Sequence, residues 1–353
     1  MFIPGLELSR RYYAEAVLPV VRSRFGDVPH TAARIGSGSE VLGFDTARSS
    51  DHDWGPRLQL FLEPGDERGP AIRDALRDGL PKSFLGYPTH FTDDGDVGVM
   101  AHTDGPVSHR VDVTTLDAWF AGQLGFDPRE GIATRDWLAT PTQALAETTG
   151  GAVFHDGSGG LTAARAKLAW YPDDVWRYVL ACQWQRLAQE EAFVGRCGEV
   201  GDELGSAIVA ARQVRDLVRL CLLMHRRYPP YGKWLGSAFR WLPTELTPVL
   251  TAALAATSWS DRERHLATAY STVARIHNRL GLTEPLDPAT GPYYERPFQV
   301  LRAGRFADAL ISGVTDPALR QRPLIGAVDQ FADNTDLLSD SALTRKLLRH
   351  SFE

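Results

Sequence analysis

The chain of 353 residues has little cysteine and no long apolar run. Its three cysteines, Cys182, Cys197 and Cys221, are far apart and outside any CxxC pair, which argues against a disulfide framework and a zinc knuckle. No apolar stretch approaches the roughly 18 residues that span a bilayer, and the first residues lack the basic-then-apolar pattern of a signal peptide. We therefore expect a cytoplasmic protein without a membrane partner.

The chain also has no excess of positive charge. The formal net charge is −6, so the chain as a whole is not attracted to a phosphate backbone or to anionic lipid, and nucleic acid is not an expected partner. Hydrophobic residues at 43% and charged residues at 23% are typical of a globular protein and exclude a disordered chain or a coiled coil. At roughly 150 residues per domain, the length predicts two domains.

Apolar spacing in the first part of the chain predicts helices and strands. Helical spacing from Leu6 to Phe25 predicts an amphipathic helix that ends at Gly26, and a second helix is expected at Pro70–Leu80. Short apolar runs separated by Gly, Pro, Asp and Ser predict strands. These runs are Ala33–Ile35, Leu58–Leu62, Val97–Ala101 and Val111–Val113. The pattern is typical of a mixed domain with a small sheet.

From Thr114 onward, strand signals almost vanish and long helical patterns predominate. The helical patterns cover Asp173–Val194, Glu203–Arg227, Thr244–Thr257 and Asp261–Leu280. We therefore expect an α+β chain, with a sheet-containing domain over residues 1–150 and a helical bundle domain, expected to bind the substrate, over residues 151–353.

The segment between these halves, Gly150–Gly160, is rich in glycine and has no periodicity. It is interpreted as a connection or a flexible flap. A loop that cradles phosphate is the alternative, although the segment matches neither the dinucleotide-binding nor the P-loop spacing.

Two carboxylates stand one residue apart, at Asp51 and Asp53, just before the apolar run that starts at Leu58. On an extended chain their side chains share one face, where they repel each other unless a cation lies between them. Such oxygen ligands suit Mg²⁺ bound jointly by the protein and a substrate phosphate. Asp112 could reach the same metals from an antiparallel neighbour strand. The alternative is a structural Asp-rich turn.

A Gly-Ser dipeptide, Gly38-Ser39, precedes this pair and is followed by a second glycine at position 43. Gly-Ser, glycine and then Asp-x-Asp resemble the signature of the nucleotidyltransferase superfamily, which includes DNA polymerase beta and the aminoglycoside nucleotidyltransferases. Pro56, soon after the pair, departs from the family pattern, because proline cannot donate to a sheet ladder; a bulge or an edge position is therefore expected.

The resemblance implies a nucleotidyltransferase-like fold for the first domain and a Mg²⁺-dependent reaction. In that reaction a nucleoside monophosphate is transferred from an NTP, most simply ATP, to a hydroxyl group and pyrophosphate leaves. Asp51, Asp53 and Asp112 would be the catalytic carboxylates and the ligands of two Mg²⁺ ions. Gly38 and Ser39 would bind the β- and γ-phosphates.

Three phrases narrow the resemblance further. Phe2–Leu6, Gly38–Asp45 and Asp51–Arg57 are similar to an uncharacterised group within the superfamily, called domain of unknown function 4037. That resemblance covers most of the chain and carries no established substrate.

Arginines form a row on the predicted helix Glu203–Arg227. Arg212, Arg215 and Arg219 lie beside its apolar stripe at 3.6 residues per turn. The row could line an interdomain cleft and hold phosphate oxygens. The alternative is a solvated helix face on which Asp216 pairs with Arg212 or Arg219.

Lys233 is one of only four lysines among 38 basic residues. It follows Gly232 after a double proline, which places its ammonium at a helix start or in a loop. In related nucleotidyltransferases the helical domain supplies a cation to the triphosphate, so Lys233 is a candidate phosphate ligand. An ordinary surface charge is the alternative.

The general base and the acceptor stay open. Glu40, Glu190, Glu191 and Glu203 are candidate bases that the sequence does not rank. A small hydroxylated molecule is the first expectation for the acceptor, because a helical bundle beside the nucleotidyl domain resembles the drug-modifying branch. Transfer to a protein or RNA, and nucleotide binding by a regulatory protein without turnover, are the competing functions.

Overall fold

The computed structural model describes residues 2–95 and 97–349. The chain divides into two compact units. Unit 1 comprises Met1–Ala133 and Ala144–Ala169, and unit 2 comprises Thr134–Gln143 and Trp170–Glu353.

Up to residue 169 the chain forms both helices and strands. In chain order they are α1 (Gly5–Tyr12), α2 (Leu18–Phe25), β1 (His30–Arg34), β2 (Arg57–Leu62), α3 (Gly69–Gly79), β3 (Ser83–Phe84), β4 (Tyr87–Pro88), β5 (His90–Asp94), β6 (Val97–Ala101), β7 (Arg110–Thr115), α4 (Leu116–Leu124), α5 (Thr134–Ala139), α6 (Thr142–Thr149), β8 (Ala152–Asp156) and α7 (Gly160–Lys167). A π-helical turn at Tyr13–Val17 joins α1 to α2, and a 3₁₀ turn spans Ala47–Asp51.

The elements that follow are mostly helical. They are α8 (Asp173–Glu190), α9 (Phe193–Glu199), α10 (Glu203–Met224), α11 (Gly232–Phe239), α12 (Leu246–Ala255), α13 (Trp259–Arg279), β9 (Gly291–Tyr293), β10 (Arg296–Val300), α14 (Gly304–Ser312), α15 (Pro317–Arg320), α16 (Val328–Phe331), α17 (Thr335–Ser339) and α18 (Ser341–Arg349). The expected α+β class is confirmed, with a small mixed sheet in the first part and a helical region after it.

The sheet of unit 1 has four strands in the order β7-β2-β1-β8. Because side chains alternate along β2, Leu58, Leu60 and Leu62 turn to one face and pack with α1 and α3 in the core. Arg57 and Gln59 turn to the opposite face, where Gln59 stands beside Asp112 of β7. That polar face positions the candidate site.

The strand that carries Asp112 runs parallel to β2, which corrects the expectation of an antiparallel neighbour. Between the two strands the chain passes through α3 and the β5–β6 hairpin. A connection of that length returns the chain to the starting end of β2, so the two strands point the same way.

The glycine-rich segment is neither an irregular connection nor a flap. Its residues Ala152–Asp156 form β8, which pairs antiparallel with β1. A side chain at Gly151 would clash with the Arg34 carbonyl oxygen, so the glycine there permits close packing of two backbones. The expected domain boundary at residue 150 therefore falls inside unit 1, which keeps β8 and α7.

Unit 2 is a helical bundle in which α10 packs against α8, α9, α12 and α13. The N-cap residue of α10 is Asp202, whose carboxylate accepts the Gly205 N–H at 2.7 Å. The three cysteines are all free, with Cys182 and Cys221 buried. Within the described residues, no helix is both long and apolar enough to span a membrane.

Candidate functional site

Separate stretches of the sequence meet in unit 1. The carboxylate of Asp45 accepts hydrogen bonds from the Gly5 backbone N–H at 2.7 Å and from Trp54 Nε1 at 3.2 Å. Phe2 stacks on Trp54 with ring centroids 5.5 Å apart. The three phrases that carried the resemblance therefore share one packed cluster, which fixes the segment leading into Arg57.

A buried carboxylate, that of Glu40, lies between two guanidinium groups. Its Oε1 accepts hydrogen bonds from Arg34 Nε at 2.8 Å and from Arg57 Nε at 3.0 Å. The exposed fractions of the side chains are 1% for Glu40, 3% for Arg34 and 16% for Arg57. Burial by itself raises the pKa of Glu40, but Arg34 and Arg57 outweigh it and hold that pKa below its ordinary value. The cluster thus carries two positive charges and one negative charge.

The two arginines of this cluster differ in how their donors are used. Arg34 Nη1 donates to the Ile35 carbonyl at 2.5 Å and Nη2 donates to the Ser37 carbonyl. Burial lowers the pKa of Arg34 to about 10, so it stays charged at neutral pH. Arg57 Nη2 lies 2.9 Å from Glu40 Oε1 but makes no hydrogen bond to any described residue, although the atom is buried. Each guanidinium nitrogen of Arg34 donates a hydrogen bond, whereas Arg57 donates only through Nε among the described residues.

A cleft of about 430 Å³ opens beside these arginines, on the polar side of β2. Its charged and ionisable lining residues are Arg34, Arg57, His109, Arg110 and Asp112. The remaining lining residues are Ile35, Gly36, Ser37, Leu58, Gln59, Val111, Trp119 and Gln123. The cleft therefore offers cations, one carboxylate, amides and an aromatic ring to a ligand.

Asp112 and His109 stand on the β7 side of the cleft. Asp112 is exposed on the strand, yet partial desolvation raises its pKa, an effect that Arg73 reduces. His109 Nδ1 accepts the Val111 N–H at 3.2 Å, so its Nε2 carries the proton and lies 3.2 Å from the Arg73 carbonyl. Burial lowers the pKa of His109, which keeps this imidazole neutral. One carboxylate and one neutral imidazole thus line the same wall.

Asp51 and Asp53 do not stand on an extended strand, which corrects that expectation. Asp51 ends the 3₁₀ turn, and its Oδ1 accepts the His52 N–H at 2.9 Å. Asp53 has a φ of 44°, and its Oδ1 accepts the Gly98 N–H at 2.9 Å. Because the backbone turns through left-handed conformation at Asp53, the two side chains do not share a strand face. Neither residue lines the cleft.

The described residues contain no group of three His, Cys, Asp or Glu side chains that could hold a metal ion. Asp112 is at the cleft, whereas Asp51 and Asp53 are anchored in the loop before β2. The structure does not bring the three predicted carboxylates together as one ligand set.

The Gly-Ser dipeptide at the cleft is Gly36-Ser37, two residues before the predicted Gly38-Ser39. Gly38 has a φ of 147°, and a Cβ there would clash with Arg34 Nη2 and lie 2.7 Å from Arg57 Nη2. Gly38 therefore closes over the two guanidinium groups, because only glycine fits there.

The predicted arginine row of unit 2 is already paired within that unit. Arg212 contacts Glu190 at 3.2 Å, Arg215 contacts Asp333 at 2.7 Å and buried Arg219 contacts Asp329 at 2.7 Å. Asp216 pairs with Arg186 and not with Arg212 or Arg219. The row is thus held by intraunit ion pairs, and its role as a phosphate-binding surface stays a prediction.

Lys233 is exposed in the first turn of α11, with Nζ 5.0 Å from the ring centroid of Trp234.

Each candidate general base already binds protein groups. Glu40 is buried between Arg34 and Arg57. Glu190 pairs with Arg212, and Glu203 pairs with Arg262 at 2.5 Å. Glu191 accepts backbone N–H groups from residues 301–303, while burial raises its pKa. None of the four lines the cleft.

Sequence reasoning missed Arg34, Arg57, Gln59 and Trp119. The alternation Arg57-Leu58-Gln59-Leu60 was the available signal, because it marks a polar face on an otherwise apolar strand. The pairing of Arg34 with Glu40 had no such signal, since it depends on how the turn after β1 folds back.

Comparison with known families adds one finding. Residues 137–235 match the model of a family described as Domain of unknown function (DUF4037). The matched stretch begins after the three phrases that carried the resemblance and covers the helices from within α5 to the start of α11. No curated protein matches the chain.

Proposed function

We propose that the protein is a nucleotidyltransferase that moves a nucleoside monophosphate from an NTP to a hydroxyl acceptor and releases pyrophosphate. ATP as co-substrate, Mg²⁺ as cofactor and a small molecule as acceptor belong to this proposal. The observation that carries it is the cleft on the polar side of β2, where a Gly-Ser turn, an exposed carboxylate and arginines line one cavity. The resemblance implies a Gly-Ser turn and a carboxylate for an NTP site.

The chemistry of the lining suits a nucleotide. Arg57 in the wall donates to protein only through Nε among the described residues, and guanidinium groups bind phosphate oxygens well. Ser37 adds a hydroxyl to the lining, and Trp119 supplies a ring on which a base can stack. A volume of about 430 Å³ falls within the range of small-molecule sites.

A two-metal site would need the three predicted carboxylates as one ligand set. Carboxylate oxygens suit Mg²⁺, but the three predicted carboxylates do not form one ligand group among the described residues. Asp53 Oδ1 is engaged by the Gly98 N–H, and Asp51 Oδ1 lies 3.0 Å from His52 Nδ1. As the side chains stand they do not fit a shared two-metal site, so we derive no step through the ions.

Nucleotide binding without turnover is the second candidate. It is favoured by the hydrogen bonds that tie Asp51 and Asp53 into the loop before β2, away from the cleft lining. In that case the protein would recognise a nucleotide and leave the phosphoanhydride bond intact.

The test is to incubate the protein with α-labelled NTPs and Mg²⁺ in a metabolite extract while following pyrophosphate release. Label in the small-molecule fraction together with pyrophosphate release would support the proposal. Label in protein or RNA would keep the reaction and change the acceptor. NTP binding by calorimetry without pyrophosphate release would favour the second candidate, and the absence of both binding and release would overturn both.

A further inference from the structure

We propose that Arg57, oriented by Glu40, is an oxyanion receptor of the cleft and binds the triphosphate of the substrate. The choice of a triphosphate rests on the proposed function, whereas the oxyanion class rests on the geometry of the cluster. Arg57 takes this role in place of the arginines of α10, which already have carboxylate partners.

The first step of the argument is the uneven use of donors. Arg34 donates through Nε, Nη1 and Nη2 to Glu40, Ile35 and Ser37, so this arginine holds the turn after β1. Arg57 donates to protein only through Nε among the described residues, and its buried Nη2 has no hydrogen-bond partner. Nη2 lies 2.9 Å from Glu40 Oε1, so the guanidinium nitrogen left for a ligand is Nη1, which makes no hydrogen bond to a described residue although Arg57 lines the cleft.

The second step is the charge balance. A single carboxylate, Glu40, compensates two guanidinium groups, and its Oε1 is the atom that both approach. Glu147 adds an attractive interaction for Arg34, but its carboxylate oxygen already accepts from Gln123 Nε2 at 2.9 Å. The positive charge that an anion would neutralise is therefore local to Arg57, because Asp112 of β7 brings a carboxylate to the same cleft.

The third step is orientation. Glu40 holds Nε of Arg57, and Gly38 packs over the Nη2 of both arginines, so the guanidinium plane is fixed before a ligand arrives. A guanidinium fixed in this way presents Nη1 to an oxyanion in the cleft with little further loss of side-chain entropy. Glu40 is thus a positioning residue that does not touch the ligand.

Arg110 provides a matched control. It lines the same cleft, but its Nη2 pairs with Asp93 and its guanidinium lies 5.8 Å from the ring centroid of Phe91. If the cleft attracted anions only through its overall positive charge, removing Arg110 and removing Arg57 would have similar effects.

The experiment is calorimetric titration of the full chain with inorganic tripolyphosphate and with ATP, both without Mg²⁺ and with EDTA. We expect R57Q to weaken both affinities at least ~10-fold, R57K to weaken them several-fold and R110Q to change them less than about threefold. We expect E40Q to weaken them less than R57Q. Melting temperatures of all variants are measured in parallel, and R57K keeps the charge that folding of the buried cluster needs.

Unchanged affinity in R57Q, equal losses in R57Q and R110Q, or no binding of tripolyphosphate by the parent protein would overturn the inference. A lower melting temperature in R57Q with parental affinity would mean that Arg57 is structural only, and would also overturn it. Tight tripolyphosphate binding that needs Arg57, in a protein that releases no pyrophosphate from any NTP, would uphold this site while refuting the proposed transfer. The two failures are therefore distinguishable.

Discussion

The arginines of the two units have different relations to carboxylates. In unit 2, Arg219 and Arg215 each meet a separate aspartate, at Asp329 and Asp333. In unit 1, two arginines share the single carboxylate of Glu40, and the Nη2 of Arg57 lies 2.9 Å from its Oε1 without a hydrogen bond. A one-to-one pair stabilises a fold, whereas a two-to-one cluster beside a cleft is suited to binding. The number of carboxylate partners for each arginine, and not the number of arginines, therefore indicates a binding site.

The largest expected effect concerns a carboxylate of unit 1. Asp112→Asn should lower nucleotidyl transfer on the order of a thousandfold, because asparagine keeps the shape and loses the anionic oxygen at the cleft. Asp51→Asn and Asp53→Asn should lower it less than about threefold, because neither side chain lines the cleft. Pyrophosphate release measures the effect. Asp74→Asn, on the exposed face of α3, is the control and should behave like the parent protein.

The three variants also test where in unit 1 the reaction takes place. Full turnover in Asp51→Asn and Asp53→Asn, together with loss in Asp112→Asn, would confine the chemistry to the cleft. Parental turnover in all three would remove the carboxylates from the reaction.

In unit 2, the second prediction compares a buried pair with an exposed one. Arg219→Leu should lower the free energy of unfolding by ~3–5 kcal/mol, because Asp329 would be left buried without its cation. Arg215→Leu should cost only ~0–1 kcal/mol, since its partner Asp333 is largely exposed. Urea titration followed by circular dichroism measures both. Similar losses in the two variants would show that burial does not separate these arginines.

The third prediction is a pH dependence of unit 2. Trp184 Nε1 donates to His277 Nδ1 at 3.2 Å, and burial lowers the pKa of His277 to about 4. Below its ordinary value near 6.5, the unfolded chain binds the proton and the folded chain does not, so stability rises with pH across this window. Between pH 6.5 and 4 the loss should be on the order of 3 kcal/mol.

Substitution of His277 separates its contribution to the loss of stability at low pH from the contributions of other groups. His277→Gln should flatten the fall in unfolding free energy between pH 6.5 and 4. An identical slope in the parent protein and His277→Gln would contradict the assignment.

The smallest expected effect is on the stability of the turn at Gly36 and Gly38 in unit 1. Gly36 and Gly38 both have positive φ, so alanine strains either position by ~1 kcal/mol or more. A Cβ at Gly36 meets only Trp119 at 3.5 Å, whereas one at Gly38 would meet Glu40 Oε2 at 2.6 Å as well as both guanidinium groups. We expect Gly38→Ala to be less stable than Gly36→Ala by ~1–2 kcal/mol in urea unfolding. Equal stabilities would mean that the cluster yields to the methyl group.

Local chemistry determines most of the helices and strands. The apolar spacing of Leu6–Phe25 predicts the first helix and the alternation of Leu58–Leu62 predicts β2, because both periods depend only on neighbouring residues. The helical patterns at Glu203 and Asp261 likewise match α10 and α13. Residues 152–156 were missed as a strand because they pair with β1, more than a hundred residues earlier, and their own pattern is weak.

The sequence by itself determined the α+β class, the helical second half and the strand that carries Asp112, since each follows from periodicity along a short segment. Only the tertiary structure decided which carboxylate meets the cleft, that Gly36-Ser37 and not Gly38-Ser39 lines it, and that Arg34 and Arg57 share Glu40. The physical reason is that the backbone turn at Asp53 and the parallel pairing of β7 with β2 set distances between residues far apart in the chain. Spacing in the sequence does not encode such distances.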